Sequence, residues 1–170
     1  DISKLMGLSS NLAFLNFERY QSWKKPTKPS ADARQAVFAF QGDVYQGLEA
    51  ATMKKGDLKF AQKHLRILSG LYGVLKPLDL MAPYRLEMGT KLATKKHDDL
   101  YGFWKDTLTA DINEQLAEQK DSTLINLASN EYFNALNKKD IVGDIVSPVF
   151  KDFKNGDYKI ISFFAKKARG

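Results

Sequence analysis

Residues 64–77, HLRILSGLYGVLKP, combine the residue types that handle phosphate: Gly70 and Gly73 bracket Leu71 and Tyr72, with Lys63, Arg66 and Lys76 close by. Glycines let backbone N–H groups approach an anion with no Cβ in the way, and nearby cations neutralise it. Pro77 suits the first position of a following helix, whose N-terminus would add further donors. Read this way, the stretch is a helix-hairpin-helix-like grip on a nucleic-acid backbone, which positions a protein without reading bases. The same letters also describe a helix closed by a glycine cap and followed by a turn. Two residues separate the glycines, a departure from the Gly-hydrophobic-Gly spacing of such hairpins.

Three further groups carry chemistry. In Tyr84-Arg85-Leu86-Glu87, strand alternation places Arg85 and Glu87 on one face, as a cleft-lining pair or a plain surface pair. Asn126 to Tyr132 reads as a strand end feeding a helix start, a common ligand position in α/β folds, although Ser129 also fits a simple N-cap. Lys166, Lys167 and Arg169 cluster three positive charges after an apolar run. Two function classes follow. A backbone-gripping protein uses Lys63, Arg66, Gly70, Leu71, Tyr72, Gly73, Lys76, Lys166, Lys167 and Arg169. An enzyme acting on a small or nucleic-acid substrate uses Arg85, Glu87, Ser129, Glu131 and Lys166, a lysine near carboxylates being able to act as base or electrostatic stabiliser. His64 and His97 are too few and too separated for a metal site, and neither a nucleotide loop nor a dinucleotide fingerprint occurs, so no cofactor is expected.

The elements that must position these residues follow from periodicity and punctuation. Leu5, Leu8, Leu12 and Leu15 predict two short helices with Ser9 or Ser10 between them. Ala36 to Phe40 reads as a short buried strand before the Gly42-Asp43 turn. A helix with Asp57 as a capping candidate is expected to run to Gly70. Arg85 to Met88 reads as a possible short strand. Asp98 and Asp99 are expected to open a long helix, and Ser122 to Leu127 reads as a buried strand. Lys154-Asn155-Gly156 is the strongest hairpin signal, since Asn and Gly tolerate positive φ. The run before Lys166 reads as strand. The expected fold is mixed α/β (α+β): one domain spanning 1–170, with interleaved helices and short strands, a C-terminal β-hairpin and the helix-hairpin-helix-like element.

Composition narrows the class. The 170 residues are 44% hydrophobic and 27% charged, with no cysteine. This excludes disulfide scaffolds, thiolate chemistry and zinc fingers. The net charge of +6 is uneven: residues 1–85 hold 13 Lys/Arg against 7 Asp/Glu, whereas residues 86–170 hold 13 of each. Lysines outnumber arginines 21 to 5, and abundant lysine often marks a merely solvated surface. No stretch approaches the length of a membrane span.

FQGDVYQGL at 40–48, HLRILSGLYGVLKPLDLMAPYRLEMG at 64–89, NLASNEYF at 126–133 and SFFAKKARG at 162–170 together resemble the YaaA family of bacterial peroxide-stress proteins. The similarity runs over essentially the whole chain, with family members extending past both ends, so a central portion of a longer protein is expected. The resemblance implies a cytoplasmic protein that binds duplex and branched DNA, with recombination-repair proteins as possible partners. It further implies protection of DNA during peroxide stress and an effect on free iron. It also implies a basic cleft, matched here by Arg85, Glu87, Asn126, Ser129, Glu131, Tyr132, Lys166, Lys167 and Arg169, beside a helix-hairpin-helix matched by Lys63 to Pro77.

Overall fold

The computed structural model describes residues 1–170. Two short helices open the chain, α1 (Ile2–Met6) and α2 (Ser10–Gln21), separated by Gly7 at φ 61° and with Ser9 in the N-cap position of α2. An extended, proline-containing stretch leads to β1 (Arg34–Gln35) and then α3 (Ala36–Ala39). The apolar run expected to be a strand is therefore a helical turn. It buries Ala36 and Val37, with its N-terminal amides bonded to Asp79 O and Pro77 O. Then come α4 (Asp43–Leu48), a 3-10 turn at Ala50–Thr52 and α5 (Lys55–His64), the last begun by Asp57 accepting from Lys54 N–H at 2.9 Å.

The segment after α5 departs most from expectation. Leu65 is already extended, and the chain forms a β-hairpin of β2 (Ile67–Ser69) and β3 (Gly73–Leu75) in antiparallel register, Ile67 opposite Leu75. The helix stops at His64 and not at Gly70, and no helix follows Pro77, so no helix-hairpin-helix forms here. The cause is local and tertiary together. Ser69 Oγ accepts from Leu71 N–H (3.3 Å) and Tyr72 N–H (2.9 Å), a side-chain turn that competes with helix. Burial of Ile67 and Leu75 in one cluster then rewards the hairpin.

β4 (Leu80–Met81) pairs antiparallel with β1. Residues 84–89 run without regular structure in place of the strand read at Arg85 to Met88. The long helix α6 (Leu100–Ala117) opens where the sequence places it, with Asp99 accepting from Gly102 N–H at 2.8 Å. β5 (Thr123–Ile125) pairs in parallel with β6 (Asp144–Val146), joined through α7 (Asn130–Phe133) and a 3-10 turn at Lys138–Asp140. β7 (Asp152–Lys154) and β8 (Asp157–Lys159) form the expected hairpin, turning at Asn155 (φ 55°) and Gly156 (φ 81°). The last element, α8 (Ser162–Arg169), is a helix and not the expected strand.

The architecture is thus mixed: eight α-helices and four separate two-stranded sheets. The larger core gathers Leu100, Leu108, Ile112 and Leu116 of α6 with Leu86, Met88, Phe133 and Leu136. A smaller cluster holds Ala36, Ile67, Leu75 and Met81. Tyr84 packs against both, so the irregular segment that carries Arg85 and Glu87 is the seam between them.

Candidate functional site

The seam is fixed from several sides. Tyr20 Oη donates to Arg85 O. Tyr132 Oη donates to Glu87 Oε2 at 2.9 Å, and Glu131 Oε1 accepts from Gly89 N–H at 2.9 Å. Beneath it, a Cβ on Gly70 would collide with the Leu86 carbonyl oxygen, so the hairpin backbone lies directly against residue 86. Arg85 and Glu87 consequently project from an immobilised stretch and pair at 3.8 Å, each about half exposed.

They open onto a cleft of about 1670 Å³. Its lining includes Arg85, Glu87, Asn126, Ser129, Glu131, Tyr132, Lys166 and Arg169, which the sequence places far apart. It also includes Lys63 and Arg66 of the first candidate group. Gly70, Leu71, Tyr72, Gly73, Lys76 and Lys167 do not line it. The hairpin has another role: Gly70 O accepts from Trp104 Nε1 at 2.9 Å, and a Cβ on Gly73 would meet the Trp104 ring at 2.7 Å. The amides of Leu71 and Tyr72, the donors a phosphate would need, already bond Ser69 Oγ. These glycines serve close packing against Leu86 and Trp104.

Sequence reading missed the cleft's dominant feature. All five arginines of the chain, at positions 19, 34, 66, 85 and 169, line it, against three of the 21 lysines, Lys63, Lys120 and Lys166. The signal was present in the scarcity of arginine. Guanidinium presents a planar fork that matches phosphate or carboxylate bidentately, which a lysine ammonium does not. Arg66 is held by Gln62 O (3.2 Å), Leu65 O (2.7 Å) and Gln115 Oε1, and partial burial lowers its pKa from the usual arginine value. The protein's two ion pairs are Arg85–Glu87 and Lys166–Asp43 at 3.9 Å. Of the arginines lining the cleft, Arg66 therefore has only neutral acceptors, and Arg19, Arg34 and Arg169 have no carboxylate partner either.

The carboxylates in the cleft are Asp32, Glu87, Glu118, Asp121 and Glu131, so cations predominate eight to five. Burial and the neighbouring Glu87 push the Tyr132 phenol well above its ordinary pKa, and Tyr132 stays a neutral donor to Glu87. No three His, Asp or Glu side chains come together in a way that would hold a metal ion. No helix is long and apolar enough to cross a membrane.

Fold and cleft together define a protein of helices and small two-stranded sheets built around one arginine-lined groove. Residues 1–170 match the family described as Peroxide stress protein YaaA, and the chain belongs to that family. It is 58% identical over 170 residues to a UPF0246 protein of Teredinibacter turnerae, 58% to one of Shewanella woodyi and 57% to one of Shewanella loihica. Each match covers 100% of this chain and 66% of the relative, so the chain spans just under two thirds of their length.

Proposed function

We propose that this chain is the phosphate-binding part of a DNA-binding protein of the bacterial peroxide response, acting in the cytoplasm. On this reading the arginine-lined cleft meets the backbone of duplex or branched DNA without sequence preference, shielding it from oxidative damage, and recombination-repair proteins are its natural partners. The observation that carries the reading is the convergence of all five arginines on one groove, four of them without a carboxylate partner. Such groups are costly to gather unless an anion joins them. Control of free iron, on this reading, is indirect.

The grip thereby moves from the glycine hairpin to Arg19, Arg34, Lys63, Arg85, Lys166 and Arg169. Binding should weaken with salt at a logarithmic slope of about −0.9 per phosphate neutralised on duplex DNA. In fluorescence anisotropy with a labelled duplex, the double variant Arg34→Ala, Arg169→Ala should lose affinity and flatten that slope by roughly 1 to 2. The measurement is made on this chain and on the longer Teredinibacter turnerae relative. Unchanged affinity and slope in folded variants would remove the cleft from the interface.

A further inference from the structure

The ion pair between Lys166 and Asp43 is out of place in a groove that only grips phosphate. Of the three lysines lining the cleft, Lys166 alone is tied to a carboxylate, its Nζ 3.9 Å from Asp43 Oδ2. The pair cancels one of the charges that such a grip would use. The cleft's other pair, Arg85–Glu87, offers no nucleophile, because a guanidinium keeps its proton. An amine with a proton acceptor beside it is different, since it can bond covalently to a carbonyl carbon.

The fold holds this pair firmly and leaves the amine reachable. Asp43 begins α4 and Lys166 lies in α8, and the two helices meet backbone to backbone. A Cβ on Gly47 would strike Lys167 O, and one on Gly170 would strike Val44 O. The Lys166 side chain is about half exposed, whereas Asp43 is more enclosed. Arg169, one helical turn beyond Lys166, also lines the cleft and has no carboxylate partner. A nucleophile, a group to take its proton and a cation for a neighbouring phosphate therefore share one corner of the groove.

Intact DNA carries no aldehyde for an amine to attack, but loss of a base exposes one at C1′ of the ring-opened sugar, between two phosphates. We propose that Lys166 is the nucleophile of a lyase reaction on abasic DNA, with Asp43 as its proton acceptor and Arg169 holding an adjoining phosphate. Asp43 takes a proton from the Lys166 ammonium, and the freed Nζ adds to C1′. The carbonyl oxygen, protonated by Asp43, departs as water and leaves an iminium. The Asp43 carboxylate then accepts a C2′ proton. The electron pair left behind forms the C2′–C3′ double bond as the C3′–O bond breaks and the 3′ phosphate leaves. Water hydrolyses the iminium and returns the amine, so the electrons balance with no oxidant or reductant. This rests on the phosphate-binding reading of the same groove and goes beyond it by giving the groove a covalent activity.

The test incubates a labelled duplex holding one abasic site with this chain, and with the longer Teredinibacter turnerae relative, in the presence and absence of borohydride. Borohydride reduces an iminium to a stable amine and so fixes protein to DNA; anisotropy on the same duplex reports binding. A covalent complex should form with borohydride, and a nick on the 3′ side of the abasic site without it. Lys166→Arg keeps the charge, removes the nucleophile and should abolish both. Lys167→Arg and Lys120→Arg should match the unaltered chain, and Asp43→Asn should slow nicking about a hundredfold, the scale of a lost proton acceptor. Binding without a covalent complex overturns this inference and leaves phosphate binding standing. A complex that persists in Lys166→Arg belongs to another amine and overturns it equally. Failure to bind either intact or abasic duplex overturns both readings.

Discussion

Single side chains in the seam illustrate how burial sets ionisation here. Tyr84 sits between the two cores with its hydroxyl 2.6 Å from Ser69 Oγ, and burial pushes its pKa up to about 12 against that hydrogen bond. Burial raises Tyr45 and Tyr132 as well. A phenol whose folded pKa lies above its unfolded value of about 10 keeps a proton that the unfolded chain releases. Its stabilising contribution is therefore complete below pH 10 and disappears as the pH rises from 10 through 12. At about 1.36 kcal/mol per pKa unit, Tyr84 alone accounts for about 3 kcal/mol of this loss once the pH has passed 12. Urea denaturation at pH 8, 10 and 11 should show stability falling steeply over the last interval, and Tyr84→Phe should flatten that fall. A fall of the same steepness in Tyr84→Phe would mean that the phenol is not buried as described.

The contact between α4 and α8 sets where two of the cleft's cations stand. A Cβ on Gly47 would collide with the Lys167 carbonyl oxygen, and Gly170 lies just as tightly against Val44 O. Only glycine allows the helix backbones to approach this closely, and that approach brings Lys166 to Asp43 and Arg169 to the cleft. Gly47→Ala should push α8 away and reproduce the DNA-binding loss of Arg169→Ala, although it removes no charge; full affinity in Gly47→Ala would show that α8 does not set the grip. The same contact shows what sequence can and cannot reveal. The Asp99 cap, the α1–α2 break and the Asn155-Gly156 turn are legible because each is decided by neighbouring residues. SFFAKKAR is a short apolar run that fits strand or helix, and its choice of helix follows from packing on α4, more than a hundred residues earlier. The hairpin at 67–75 is hidden for a similar reason, since Leu86 and Trp104 give its glycines their purpose. Of the site, Arg85, Glu87, Glu131 and Lys166 are legible as polar motifs, whereas Arg19 and Arg34 lie in segments with no motif at all.

The molecule as a whole has an uneven surface. β5 and β6 form a parallel pair with no further strand, yet Ile125 and Val146 are 52% and 47% exposed, and parallel sheets are ordinarily covered on both faces. Phe153 and Tyr158 of the β7–β8 hairpin stand 66% and 65% exposed, and Phe163 and Phe164 of α8 are also open to solvent. Exposed apolar groups concentrated in this way mark surfaces that bind other protein or drive association, and unpaired strand edges add to the tendency. Ile125 and α8 border the cleft, whereas Phe153 and Tyr158 of the β7–β8 hairpin do not line it. Association through the β7–β8 hairpin therefore need not block the groove. Sedimentation of this 170-residue chain across a concentration series should show reversible self-association and strong binding of an apolar dye. Both should fall in the double variant Phe153→Gln, Tyr158→Gln, with DNA affinity unchanged. The Teredinibacter turnerae relative, half as long again, should bind less dye per molecule if its additional length covers this face. A dark, strictly monomeric chain would mean that these side chains are sheltered in solution, and the uncovered parallel pair would then need another explanation.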